Sequence, residues 1–543
     1  MKQARRVVWF ILSTVLLCAL LGGVYGRQVE ATTGSDDSDV KASLNAFTRV
    51  YGIVEANYAD PVNPDQTIFG EFPNSASNGN TGAIPSALRT LDPHSNFFDP
   101  RSFERLREDQ EAKYYGVGMK IVARPGKMGK LITYVDSPIP GSPAFRAGVR
   151  PDDIVAKVDG KPTEGLNTDD VARMLKGPKG TQVHVTFLRE GYDQPLEIDI
   201  TRDEILPQSV DDAFMLRPNI AYIHISKFDE NTNDGLSEAL RKLNENTLQG
   251  LVLDLRNNPG GLLPEAVEVS DHFLEKSQLI VYHSGRHSQE RRYYATRGDD
   301  GNEYPIVVLI NRLTASAAEI VTGALQDHDR ALVIGEPSFG KGLVQTVYQL
   351  SEHTGLALTT AHYYTPSGRL IQRDYEKVSL YDYYYHPELT KPEHAEVRLT
   401  DGGREVFGGG GITPDIDVPD PKMTRPQETL LQHGAFFNFG KYYLGVHKTI
   451  PKDFEVTDAV LDEFKQFLAK EKIPFSDLNM TANLDFIKSH IKIELVRFVY
   501  GENEAHRISM GTDPLVLKGL ETIPQAKELL AKAKHYVAEK TSR

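Results

Sequence analysis

Apolar residues recur at helical spacing at the start of the chain. Leu44, Phe47, Val50, Tyr51, Val54 and Tyr58 stand three or four apart and share one face. A Gly/Asn/Ser-rich loop at 73–82 follows. AIPSALRTLDPHSNFFDPRSFERLRED then reads as a helix, a turn at Asp92-Pro93 and a second helix from Ser102, so 41–112 is expected to be a small helical domain. From Tyr114 the period shortens. YYGVGMKIVA, KLITYV, DIVAKVDG, TQVHVTFLRE and LEIDITRD are short alternating strands punctuated by Gly and Pro, with DDVARMLKG the clear helix among them. Residues 113–205 are therefore a compact β-rich module. From 206 to 420 strands (IAYIHIS, GLVLDLR, PIVVLIN, ALVIG, VQTVYQL) alternate with helices at 233–246, 263–275 and 316–327, which argues for a sheet layered with helices. Residues 421–543 read as mostly helical, 27–40 as a polar linker, and the aromatic run YDYYYH at 381–386 as a surface loop.

The N-terminus has a different character. Lys2, Arg5 and Arg6 precede an apolar run from Val7 to Val24, the order of an export signal with its N-terminus on the cytoplasmic side. The run, about 18 residues, is just long enough to span a bilayer. With no clear A-x-A site after it, it reads as an uncleaved anchor in preference to a cleaved signal peptide. The lone cysteine, Cys18, falls inside this run, so the rest of the chain can form neither a disulfide nor a thiolate metal site. That suits an exported bacterial protein, in the periplasm and held at the inner membrane by residues 7–24.

The 543 residues, 40% hydrophobic and 25% charged, suffice for roughly three or four domains. A net charge of −14 argues against nucleic acid as a partner, since such proteins carry basic faces. No H-E-x-x-H or similar spacing points to a metal, and no cofactor is expected.

The candidate chemistry lies in NRLTASAAEIVTGALQDHDRALVIGEPSFGKGLVQ, residues 311–345. Ser316 opens an Ala-rich helix, where free N–H groups favour a developing anion and small neighbours leave room for a substrate. As a bare serine at a helix start it would be an ordinary cap. Lys341 follows the strand ALVIG in a Gly-bounded turn. A serine hydroxyl needs a base, and a lysine can be one when burial disfavours its ammonium form. Gln345, four residues on, would share a strand face with Lys341 and orient its amine. GEPSFGKG also approaches a phosphate-binding loop, but Gly342 stands where Ser or Thr should hold magnesium, and a strand follows where a helix should. In RNNPGGLLPEAV, two glycines after a strand could turn the backbone and aim an N–H at a ligand. Asp327 and His328 follow Ser316 on one helix, too near in sequence to be its triad partners, and His94 reads as a turn residue.

These motifs resemble the carboxy-terminal processing proteases, serine peptidases with a PDZ domain set before the catalytic core. The likeness runs from about 41 to about 420 through LRTLDPHSNFFDP, YYGVGM, DSPIPGSPAFRAGVRPDDIVAKVDG, LVLDLRNNPGGLL, TASAAEIVTGALQD, GEPSFGKGLVQ and GITPDI. It implies a multidomain α+β chain: an N-terminal helical domain (41–112), a PDZ domain (113–205), an α/β serine-peptidase core (206–420) and a C-terminal helical region (421–543). It makes Ser316 the nucleophile, Lys341 the base, Gln345 its support, and the Gly261 and Ala317 amides the oxyanion donors. A PDZ domain captures a peptide C-terminus as an added strand, which implies carboxylate binding at Gly116, Val117 and Gly118 and protein substrates with apolar C-termini. Thr314 and Ala318 depart from serines common in the family, and 374–408 is an insertion that would reshape the substrate groove. The helical ends could build a homo-oligomer or dock an adaptor. Alternatives are a non-catalytic PDZ adaptor with a protease-like core, and a Ser-His-Asp hydrolase.

Overall fold

The computed structural model describes residues 37–62, 83–111, 113–125, 130–139, 141–189, 192–351, 353–376, 378–390 and 396–541. The proposed anchor at 7–24, Cys18 and the loop at 73–82 lie outside them. Among the described residues no helix is long and apolar enough to cross a membrane. The described residues divide into two units, with the boundary between Glu55 and Ala56. Most of one helix, Asp37–Asn57, falls in the first.

In the second unit a helix, Ala83–Arg89, leads to strand β1 (Asn96–Phe98) and a second helix, Pro100–Glu111. The β-rich module then runs β2 (Tyr114–Gly116), β3 (Met119–Pro125), β4 (Leu131–Pro138), β5 (Ile154–Val158), β6 (Lys161–Pro162), β7 (Gln182–Leu188), β8 (Leu196–Thr201) and β9 (Asp203–Ile205). Its sheet has the order β3-β4-β5-β7-β8, with β6 beside β5. The inward positions Val135, Val155, Val183, Val185 and Phe187 pack with Val171 and Leu175 of the helix Thr168–Leu175. β2 pairs with β9, so the chain enters and leaves the module along one two-stranded ribbon.

The following region contains β10 (Val210–Arg217), β11 (Ile220–Ile225), β12 (Gly250–Asp254), β13 (Leu279–Ser284), β14 (Arg291–Tyr294), β15 (Ile306–Ile310), β16 (Ala331–Gly335), β17 (Leu343–Gln349), β18 (Gly355–Tyr364), β19 (Val397–Leu399), β20 (Glu405–Phe407) and β21 (Ile416–Asp417). The main sheet is β10-β11-β12-β15-β16-β21, parallel from β11 onward. Parallel strands covered on both faces read as unbroken apolar runs, and GLVLD, IVVLI and ALVIG are fully buried. Leu251, Leu253, Ile306 and Val308 face the helices Thr232–Lys242, Leu263–Asp271 and Ala317–Asp327. Tyr222, Val252, Val307 and Leu309 face Leu515, Val516, Ile523 and Ala526 of the last helix, Pro514–Thr541. The end of the chain thus closes the sheet, while the helices between Arg425 and Met510 bury a phenylalanine-rich core of their own.

Three features depart from the sequence reading, the first being that residues 37–40, the end of the expected linker, already belong to the helix Asp37–Asn57. The stretch expected to be helix, turn and helix also contains β1, which extends the second sheet by pairing Asn96↔Ala357, Phe97↔Leu356 and Phe98↔Gly355 with β18. Three residues are too few to show a period of two. The aromatic run at 381–386 is a helix, Leu380–Tyr385, capped by Ser379, whose hydroxyl accepts the Asp382 N–H. Tyr383 is fully buried against Phe339 and Arg373, while Tyr381 and Tyr385 stay exposed.

Candidate active site

Three neighbouring parallel strands, β12, β15 and β16, end side by side, and the loops at their carboxyl ends carry the candidate groups. Ligand sites of parallel sheets commonly lie at this end, where backbone amides are free of the ladder. Gly260 and Gly261 follow β12, Ser316 follows β15, and Lys341 follows β16.

Ser316 precedes the Ala317–Asp327 helix with φ 55° and ψ −116°. A non-glycine residue held there is strained, and such strain collects at functional positions. Other hydrolases likewise hold a serine in a strained backbone conformation just before a helix. The turn is braced from three sides. Ser316 N–H donates to Glu319 Oε2 at 2.7 Å. Ala315 N–H donates to the Asn258 carbonyl at 2.9 Å. Thr314, where the family often has serine, donates its hydroxyl to the Leu255 carbonyl at 2.8 Å and accepts Asn311 N–H at 3.0 Å. Ala318 is buried and makes no demand for a hydroxyl.

The two oxyanion candidates converge on this serine. Phe228 N–H donates to the Gly260 carbonyl and Leu262 N–H to the Phe228 carbonyl, each at 2.9 Å, so the Gly261 N–H points away from Phe228. Among the described residues the Gly261 and Ala317 amides have no partner. The approach is close: a Cβ on Gly260 would lie 2.7 Å from Ser316 Cβ and 2.8 Å from Ala317 N. Buried Asn258 shapes this turn, accepting Gly260 N–H at 2.8 Å and donating to the Ile225 carbonyl at 2.7 Å.

Lys341 lies just before β17 with its side chain largely buried. Nζ donates to Gln345 Oε1 at 3.0 Å, and Gln345 Nε2 donates to the His94 carbonyl at 2.6 Å. β17 carries a bulge between Val344 and Gln345, so the two side chains meet through a distorted strand and not simple alternation. Burial lowers the lysine pKa, against the opposing pull of Asp92 and Glu319. Among the described residues no hydrogen bond joins Lys341 Nζ to the Ser316 hydroxyl. Catalytic hydrogen bonds often tighten only with substrate in place.

What joins the two residues is their backbone. Fully buried Glu319 accepts both Ser316 N–H and Lys341 N–H on Oε2, and Ser338 Oγ and Gly340 N–H on Oε1. The Tyr363 hydroxyl, also buried, reaches the Ser316 carbonyl at 3.0 Å and the Lys341 carbonyl at 2.6 Å. Neither residue had been singled out from the sequence. Glu319 was legible, three positions after a serine that starts a helix, as the second half of a capping box; Tyr363 carried no signal. Asp327 and His328 are engaged elsewhere, Asp327 with Arg369 at 2.7 Å and His328 with Asp401 at 2.6 Å.

The second candidate site is on the β-rich module. β3 is an edge strand with the Thr168–Leu175 helix beside it, which leaves a slot that a peptide strand can enter. The loop between β2 and β3 holds its carbonyls inward. Val117 O accepts Ala144 N–H at 2.8 Å, and Gly118 O accepts Ser142 Oγ at 2.7 Å. Among the described residues the Val117 and Gly118 amides are left without partners. Gly118 has φ 74°, and a Cβ there would sit 2.4 Å from Ser142 Cβ. Gly116 lies one step back, paired with Asp203 in the β2–β9 ribbon.

Comparison with known proteins agrees with this layout. Residues 219–377 match the model of peptidase family S41, 134–189 that of a PDZ domain, and 426–479 that of a probable PDZ-protease C-terminal helical domain. The carboxy-terminal-processing protease of Bartonella bacilliformis is 36% identical over 68% of this chain and 80% of its own length. The carboxyl-terminal-processing protease of Synechocystis sp. is 38% identical over 52% of this chain and 66% of its own. Among solved structures, a photosystem II D1 C-terminal processing protease is 29% identical, with TM-score 0.37, over 69% of this chain and 92% of its own. The chain has the PDZ module, the layered sheet and the helical C-terminal domain in the expected order, and it belongs to the carboxy-terminal processing proteases, serine peptidases of family S41.

Proposed function

We propose that this chain is an endopeptidase that selects proteins by their C-terminal tails and cleaves them through a Ser-Lys acyl-enzyme mechanism. Lys341, as the free amine, takes the proton of Ser316. Ser316 Oγ attacks the peptide carbonyl, and the oxyanion lies on the Gly261 and Ala317 amides, an arrangement that can supply about 3–4 kcal/mol of transition-state stabilisation. Lys341 then returns the proton to the leaving amine, and a water activated by the same lysine releases the acyl group. Gln345 keeps the amine in place. The amides of Val117 and Gly118, beside Gly116, receive the substrate's terminal carboxylate, and the slot along β3 favours apolar side chains. The enzyme works in the bacterial envelope, facing the periplasm, held by residues 7–24.

The observation that carries this reading is the common anchoring of Ser316 and Lys341 on Glu319, beside two amides that have no partner among the described residues. The test is digestion of an unfolded protein with an apolar C-terminus by the full chain, by Ser316→Ala and by Lys341→Ala. Cleavage by the wild type alone supports the dyad. An active Lys341→Ala enzyme would overturn it.

A further inference from the structure

The amide of Gln345 can take two orientations, and what selects one is not part of the Ser-Lys pair. Its Nε2 donates to the main-chain carbonyl of His94 at 2.6 Å. A carbonyl can only accept, so the NH₂ must face it, and Oε1 is thereby turned toward Lys341 Nζ. The orientation is only as good as the placement of that carbonyl. Six contacts hold it. Asp92, 2% exposed, accepts His94 N–H and Ser95 N–H on Oδ1, both at 2.7 Å, and the Ser95 hydroxyl on Oδ2 at 2.6 Å. Ser95 Oγ in turn accepts Thr359 N–H from β18 at 3.1 Å. On the other side Tyr383 Oη meets His94 Nε2 at 3.1 Å, and Tyr384 Oη donates to the Pro93 carbonyl at 3.2 Å.

We infer that the Asp92–Ser95 turn is the positioning element of the lysine base: it orients Gln345 toward Lys341, and the Asp92 carboxylate sets the field in which the amine titrates. The inference rests on the Ser-Lys reading above. The charged groups facing Lys341 are few. Asp92 and Glu319 favour its ammonium form, and His94 beside it is held neutral by burial and by the charges of Lys341 and Arg373. Around Asp92 itself stand the neutral phenols of Tyr58, Tyr375 and Tyr384. Both carboxylates are buried, Asp92 holding three donors and Glu319 four, and of the two Asp92 belongs to the turn that also orients Gln345.

The experiment is the pH dependence of kcat and KM for the full chain on one protein substrate, comparing wild type, Asp92→Asn, Ser95→Ala and Lys341→Ala. Asparagine keeps the acceptor for the two amides and removes the charge. The limb on which activity rises is expected to move to lower pH by about one pH unit. Ser95→Ala keeps the charge but frees the turn. Gln345 then loses its fixed orientation and the ammonium an acceptor, so kcat falls about tenfold at unchanged KM and the limb again moves down. A merely structural turn would lower activity and stability without moving the limb, and unmoved limbs in folded variants overturn the proposal. If Asp92→Asn does not fold, Ser95→Ala decides alone. Lys341→Ala separates the two levels: activity in that variant defeats the Ser-Lys reading itself, while an inactive Lys341→Ala beside unmoved limbs defeats only the role of the turn.

Discussion

Ser316 and Lys341 are bound to one acceptor: both of their backbone amides donate to Glu319 Oε2, at 2.7 and 2.9 Å. The loops after β15 and β16 are thereby fixed to each other by one fully buried carboxylate. Tyr363 repeats the device from the opposite side through the two carbonyls. Ser316 and Lys341 follow different strands, and this pair of buried groups is what makes their spacing a property of the fold.

Replacing Glu319 tests that statement. Glutamine has the same size but only one oxygen, and its NH₂ confronts donors where a carboxylate oxygen received them. Buried donors left without an acceptor cost about 1–3 kcal/mol each, less when the site relaxes. Glu319→Gln is expected to lose on the order of 2–4 kcal/mol of stability and at least about 100-fold in kcat. Tyr363→Phe, which removes one hydroxyl and keeps the ring, should lose about 1 kcal/mol. Urea unfolding and single-turnover cleavage measure both. Full activity in Glu319→Gln would show that the two loops hold their spacing without it.

Gly260 makes a sharper demand. With φ 92° it occupies backbone space that side chains avoid, and a Cβ there would lie 2.7 Å from Ser316 Cβ and 2.7 Å from the Ala315 carbonyl. None of these atoms is the end of a flexible chain, so the serine turn itself must shift. Gly260→Ala is expected to abolish labelling of Ser316 by a serine-directed covalent probe while costing only about 1–3 kcal/mol in thermal unfolding. Labelling at the wild-type rate would mean that the turn yields without moving the nucleophile.

Lys341 links activity and stability through one proton. Burial places its folded pKa below the ordinary lysine value of 10.5, so between the two values the unfolded chain binds more protons than the folded one. Stability from this group therefore rises with pH across that window, with a limiting slope of about 1.4 kcal/mol per pH unit. Activity rises with pH through the folded value, because only the free amine is a base. Urea unfolding of wild type and Lys341→Met at pH 7, 8, 9 and 10 should show the extra slope in the wild type alone. Parallel curves would mean that the amine is not desolvated, and a rate flat from pH 5 to 9 would count against a lysine base.

The parts of this architecture legible in the sequence are those whose physics is local. GLVLD, IVVLI and ALVIG read as strands because sheets covered on both faces leave no polar alternation. Ser316 and Lys341 stand out because each sits at a helix or strand end beside Ala or Gly, and Gln345 because it lies four residues beyond the lysine on a strand. Glu319 carried a capping signal three positions from Ser316, yet nothing local says that a cap will also receive Ser338, Gly340 and Lys341. Tyr363 is one of two adjacent tyrosines on β18, and its register against the serine loop is a tertiary fact. The same holds for Tyr383. A run of tyrosines and charges reads as surface, and only the fold brings Arg373, Phe339 and His94 around one of its rings. His94 was read as a turn residue, which it is, but the use made of its carbonyl depends on β17 lying beside it.

His94 also supplies an acid limit. Burial, with the neighbouring charges of Lys341 and Arg373, lowers its pKa from 6.5 to about 3. An unfolded histidine takes up its proton as pH falls through 6.5, whereas the folded one stays neutral until about 3. Stability is therefore full above the unfolded value and is lost as pH falls through the window between the two. Part of the change is relieved by local opening of the turn, so the expected loss is on the order of 2–4 kcal/mol. His94→Gln has no proton to take up and retains the backbone carbonyl that Gln345 needs. Its urea midpoint should fall less than that of the wild type between pH 7 and pH 4. Its activity at pH 8 should remain within about tenfold of wild type, because the imidazole packs on Phe339, Tyr383 and Tyr384 while the backbone carbonyl makes the contact with Gln345. Equal acid slopes in the two proteins would place the imidazole in solvent contact and remove it from the account of this site.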